Sequence, residues 1–260
     1  MSALSAFLIT VCVGLATGIG AGVAFFTRKE NSLFLSVCMG FSAGVMIYLS
    51  FMEMLPAATE ATANPIVTAL GFFGGALSIG LIDKLIPNNE NPHEFFHKQS
   101  DLRRLRSVRT KKHLLRVGVL TAGAITLHNF PEGFATFMSL LYHSDIGISM
   151  AIAVALHNIP EGIAVSVPVF YATGSRLKAF VFSFASGLSE PLGALIGYLL
   201  LKPFLSNAVM GCVFGIIAGI MVYIALDELL PAARQYGRHH LAIFSVFTGM
   251  AVMSVLLIFL

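Results

Sequence analysis

Apolar runs of about 20 residues recur along the whole of this 260-residue chain. Each is long enough to cross a bilayer as a helix. Lipid offers no partner to backbone N–H and C=O groups, so a spanning segment must satisfy them internally. That requirement leaves few folds open. The charge content agrees: 57% of residues are hydrophobic and 11% charged, against roughly 25% charged in a soluble domain. A soluble enzyme, a disordered chain and a nucleic-acid-binding module are excluded together. The expected fold is an all-α integral membrane protein, a single transmembrane domain over residues 1–260. Eight spans are expected, near 4–26, 33–56, 65–87, 114–141, 146–170, 177–201, 207–231 and 240–260.

The basic residues predict orientation, because Lys and Arg accumulate on the cytoplasmic side. With both termini outside, fifteen of the 16 Lys and Arg fall at inner ends and only Lys202 at an outer end. The one long link, 88–113, is then a basic cytoplasmic loop, and it carries His93 and His97. The N-terminus, Met1-Ser2-Ala3-Leu4, lacks the basic flank of a cleavable signal peptide. Cys12, Cys38 and Cys212 sit in apolar runs without paired spacing, so neither a disulfide framework nor a thiolate metal site is expected.

The chain repeats itself. Residues 40–58 (GFSAGVMIYLSFMEMLPAA) and 215–233 (GIIAGIMVYIALDELLPAA) are identical at ten of nineteen positions. The copies lie in spans 2 and 7, which run in opposite directions. An inverted repeat follows, spans 1–3 mirroring spans 6–8 around spans 4–5, a construction common in secondary transporters.

Two further strings carry the chemistry: Leu127-His128-Asn129-Phe130-Pro131-Glu132-Gly133 in span 4 and Leu156-His157-Asn158-Ile159-Pro160-Glu161-Gly162 in span 5. Ionisable groups in hydrocarbon cost several kcal/mol and point to function. On a helix His128 and Glu132 lie about 40° apart and about 6 Å along the axis, with Asn129 about 100° from His128. Each carboxylate can therefore reach toward the His and the Asn of its own helix, and two such faces opposed would form a His/Glu pocket beside an Asn/Glu pocket. Imidazole and carboxylate suit zinc and divalent iron or manganese. Glu190, beside Pro191 in span 6, adds a third carboxylate, and Glu53, Asp227 and Glu228 near the ends of spans 2 and 7 are candidate mouths of a pathway. A zincin motif H-E-x-x-H is missing, and no Arg or Lys lies mid-span to hold an organic anion. Neither an enzyme nor an organic-ion carrier is expected.

The paired HN[FI]PEG strings, the SGLSEPLGA segment and the MLP/LLP endings resemble the ZIP (Zrt/Irt-like) family of divalent metal transporters, over essentially all eight spans. The resemblance implies a binuclear mid-membrane site. His128, Glu132, His157 and Glu161 would surround the first metal; Asn129, Asn158 and Glu190, with the shared glutamates, would surround the second. It further implies import of zinc, with iron, manganese or cobalt also possible, into the cytoplasm by alternating access. No prosthetic group is implied. The expected setting is a homodimer in a bacterial inner membrane.

Overall fold

The computed structural model describes residues 1–23, 26, 32–85, 111–142, 144–236 and 239–259. Among the described residues all regular structure is helical. Span 1 is α1 (Ala3–Val23). Span 2 is α2 (Ser32–Leu49), a π-helical turn (Ser50–Met54) and α3 (Leu55–Thr62) in unbroken succession. Span 3 is α4 (Pro65–Leu85), span 4 is α5 (Lys111–Tyr142) and span 5 is α6 (Ser144–Thr173). Span 6 is α7 (Arg176–Gly187) and α8 (Ser189–Leu201), separated at Leu188. Span 7 is α9 (Asn207–Ile224), a second π-helical turn (Ala225–Leu229) and α10 (Leu230–Tyr236); span 8 is α11 (His239–Phe259). Seven of these eight spans are long and apolar enough to cross a membrane; α5, whose polar string has fewer aliphatic neighbours, is not among them. Loop residues 88–110, with His93 and His97, lie outside the described residues.

The helix ends follow local chemistry. Ser175 and Ser206 cap α7 and α9, their hydroxyls accepting from the backbone N–H of Lys178 and Val209. Pro65 opens α4 at a position where its missing N–H costs nothing. The helices α5 and α6 continue through Pro131 and Pro160, and α6 also through Pro168. A proline inside a soluble helix usually ends it; here neighbouring spans support the backbone on both sides.

Packing obeys the inverted repeat. Span 2 lies on span 8 and span 3 on span 7, while span 1 lies on span 5 and span 4 on span 6. Close approach depends on glycine. A side chain on Gly44 would overlap the Val246 carbonyl of span 8, and one on its mirror residue Gly219 would overlap the Phe72 carbonyl of span 3. Small residues let membrane helices approach backbone to backbone, where dispersion replaces the missing hydrophobic drive. The two π-helical turns also match: 50–54 and 225–229 are the same five positions of the two copies. Around the bundle, large apolar side chains such as Leu70, Phe73, Leu77, Phe244 and Phe247 face outward, as lipid contact requires.

Adjacent glycines in α4 test the packing. Gly75→Val drives a side chain into the Ile216 backbone, whereas Gly74→Val meets open space. Overpacking costs about 1–3 kcal/mol. Thermal unfolding in detergent should show a midpoint several degrees lower for Gly75→Val, while Gly74→Val stays near the parent.

Candidate metal centre

His128, Asn129, Glu132, His157, Asn158, Glu161 and Glu190 come together at the middle of spans 4, 5 and 6, and none of them exposes more than 2% of its surface. Lys84, Arg176, Lys178, Lys202 and Arg234 are all exposed. Three carboxylates thus share the interior with imidazoles, amides and hydroxyls.

The pairing differs from the spacing-based expectation. His128 Nε2 lies 3.3 Å from Glu161 Oε2, and His157 Nε2 lies 3.2 and 3.3 Å from the two oxygens of Glu132. Each glutamate meets the histidine of the other helix. Antiparallel packing explains this. His precedes Glu by one turn in both strings, so opposed helices bring the His of one level with the Glu of the other. The two crossed pairs tie spans 4 and 5 together in a setting where an isolated charge would be costly.

Asn158 Nδ2 donates to the Val13 carbonyl of span 1 at 3.1 Å and to Glu190 Oε1. Glu190 reaches the centre because α8 starts at Ser189, just past the break at Leu188, and because Gly133 lets its backbone approach: a side chain there would overlap the Glu190 carbonyl. Gly162 plays the same part against the Thr17 carbonyl. Ser183 locks spans 1, 5 and 6 together, its hydroxyl donating to Gly162 O at 3.0 Å and lying 3.4 Å from Thr17 O. Nothing in the local sequence marks Ser183 except that a serine faces two glycine-lined spans.

Several buried polar atoms of the bundle have no hydrogen-bond partner among the described residues. They include Nδ1 of both histidines, both polar atoms of the Asn129 amide, Asn158 Oδ1, Glu161 Oε1 and Glu190 Oε2, with the hydroxyls of Thr17, Ser42 and Thr136. Buried polar groups are normally satisfied, and exceptions mark functional sites. Among the described residues, no three His, Cys, Asp or Glu side chains converge closely enough to hold one cation in this arrangement; the donors face one another in twos.

The candidate mouths sit in the two irregular turns of spans 2 and 7. Glu53 falls in the first π-helical turn and Asp227 and Glu228 in the second, all three half-buried. A π-helical turn is rare and often functional. Glu60, at the polar end of span 2 and outside the candidate set, lines a cavity of about 270 Å³ with Ser139, Tyr142, Asn207, Met210 and Phe214. It lies between the C-terminal ends of α3 and α5 and the start of α9.

Together these features define a multi-pass helical membrane protein, built as an inverted repeat around ionisable groups sealed at its centre. Comparison with known proteins narrows that class. A family model described as ZIP Zinc transporter matches residues 84–257. The zinc transporter ZupT of Streptococcus mutans is 53% identical over 261 residues, covering 98% of this chain and 97% of the relative. The zinc transporter ZupT of Nitratidesulfovibrio vulgaris is 54% identical over 270 residues, covering 99% and 98%, and that of Lysinibacillus sphaericus 53% over 264 residues, again 99% and 98%. The chain belongs to the ZIP zinc transporter family.

The crossed pairing has a measurable signature. In the metal-free protein a double-mutant cycle on His128 and Glu161 should give a coupling of about 1 kcal/mol or more, within the range found for buried polar pairs in membranes. The same cycle on His128 and Glu132 should give clearly less.

Proposed function

We propose that this chain is a secondary transporter that brings zinc into the cytoplasm through the mid-membrane His/Glu/Asn centre, with iron, manganese and cobalt as further cargo. The observation that carries the reading is the pair of crossed His–Glu contacts, fully buried and bordered by partnerless oxygen and nitrogen donors. Two ligands about 2.0–2.1 Å from a tetrahedral zinc stand roughly 3.3 Å apart. The His–Glu separations of 3.2 and 3.3 Å match that edge. His128, Glu132, His157 and Glu161 would hold one cation; Asn129, Asn158 and Glu190, with the shared glutamates, a second.

A donor set of imidazole, carboxylate and amide, without thiolate, suits cargo that must leave again. The cation replaces the protons and hydrogen bonds that the pairs otherwise share, so the buried acids are never left uncompensated. The relatives named as zinc transporters support zinc as the principal cargo. Fifteen basic residues at one set of span ends support an orientation with both termini outside and the 88–113 loop in the cytoplasm. Glu60 and its cavity would then form the outer vestibule, with Glu53 on the outer side and Asp227 and Glu228 on the inner side of the route. A homodimer in a bacterial inner membrane completes the reading.

Uptake of radioactive zinc into proteoliposomes tests it. Glu132→Ala and His157→Ala should each reduce uptake at least about tenfold, the scale of losing a ligand or its partner. Parent-like uptake by either variant would overturn the assignment. Ligation needs neutral imidazole and ionised carboxylate, so zinc affinity should fall as external pH is lowered, and binding should release protons into a weakly buffered solution.

A further inference from the structure

Contacts extend the inverted repeat to spans 1 and 6, where one buried polar position differs between the two halves in a way that bears on the centre. Gly14 and Gly187 meet face to face, a side chain on either overlapping the other's carbonyl. Gly20 abuts the Ile159 carbonyl of span 5, and Gly193 abuts the Phe130 carbonyl of span 4. Gly162 abuts the carbonyl of Thr17, and Gly133 that of Glu190. These reciprocal contacts align Gly14-Leu15-Ala16-Thr17-Gly18-Ile19-Gly20-Ala21 with Gly187-Leu188-Ser189-Glu190-Pro191-Leu192-Gly193-Ala194. Thr17 is the mirror residue of Glu190.

Thr17 is fully buried, and its hydroxyl has no hydrogen-bond partner among the described residues. That is unusual for a helical threonine, which ordinarily donates to the carbonyl four residues back. Thr10, Thr59, Thr126, Thr173 and Thr248 all do so, at 2.7–3.0 Å. The corresponding acceptor for Thr17 is Val13 O, and Asn158 Nδ2 occupies it. The same amide holds Glu190. Thr17 Oγ1 instead faces Gly187, three residues before Glu190 on span 6; a Cβ there would stand 2.9 Å from it. Asn158 thus takes the acceptor that Thr17 would ordinarily use, one turn before it on span 1, and the Thr17 hydroxyl is left in the seam between spans 1 and 6, against Gly187.

We propose that Thr17 is a further binding residue of the central site. Its hydroxyl is the contribution of span 1 to a divalent cation held on the Asn158–Glu190 side, in the place that Glu190 fills from span 6. A neutral hydroxyl at this mirror position leaves the centre with three carboxylates rather than four. This inference rests on the reading of the centre as a zinc site.

Zinc binding to the purified protein in detergent, by competition with a chelating dye, tests it alongside thermal unfolding without metal. Thr17→Val keeps the shape and removes the hydroxyl; Thr17→Ala removes it without any risk of overpacking; Thr17→Ser retains it. The expected result is a loss of about tenfold in zinc affinity for the Val and Ala variants, the lower end for a disturbed metal site, and near-parent affinity for Ser. The metal-free midpoint of Thr17→Val should equal or exceed the parent's, since an unpartnered buried hydroxyl is removed. Zinc affinity at the parent's level in either hydroxyl-free variant overturns the proposal, as does a Ser variant as weak as Val. Glu132→Ala measured in parallel separates the two ideas. If it too binds like the parent, the reading of the centre fails; if it loses zinc while Thr17→Val does not, only the role of Thr17 fails.

Discussion

Everything at the centre of this protein depends on two imidazole–carboxylate contacts made across spans 4 and 5. Neither helix could keep its acid in the hydrocarbon region alone, because a buried carboxylate without a partner is among the most costly groups a membrane protein can carry. Crossing the pairs makes each helix the other's solvent. It also fixes register. Sliding one helix by a turn would separate both contacts and strand two acids and two imidazoles. Span 6 is held to the same register by Asn158, which bridges Val13 of span 1 and Glu190.

Around that centre, helix approach is set by glycine and polar satisfaction by hydroxyls. Ser183 joins three spans with one hydroxyl, and Ser36 ties span 2 to the Ala233 carbonyl of α10 at 2.6 Å. Such bonds are individually modest in membranes. Their value is positional: they hold backbones whose glycines permit contact at the separations the crossed pairs need.

Much of this was legible in the sequence, because lipid imposes simple rules. The spans appear as apolar runs, and the site as ionisable residues in those runs. The repeat is visible because residues 40–58 and 215–233 still agree at ten of nineteen positions. What the sequence could not show is which side chain meets which. Helical spacing places His128 beside Glu132, and only the antiparallel packing of α5 and α6 puts His128 beside Glu161 instead. The kinship of Thr17 with Glu190 was hidden for another reason. It rests on four identities between spans 1 and 6, Gly14/Gly187, Leu15/Leu188, Gly20/Gly193 and Ala21/Ala194, and small apolar residues recur too often in membrane helices to stand out. The π-helical turns carry no compositional mark at all.

Those turns also record history. A π-helical turn holds one residue more than the α-helical turn it interrupts, so it enters a helix with a single inserted residue. Here it occupies the same five positions in both halves, Ser50–Met54 and Ala225–Leu229. An insertion made after the ancestral half was duplicated would have marked one copy and left the other a regular helix. The bulge is therefore a property of the repeat unit itself, common to both halves, whereas Glu190 and Thr17 mark a place where the halves part company.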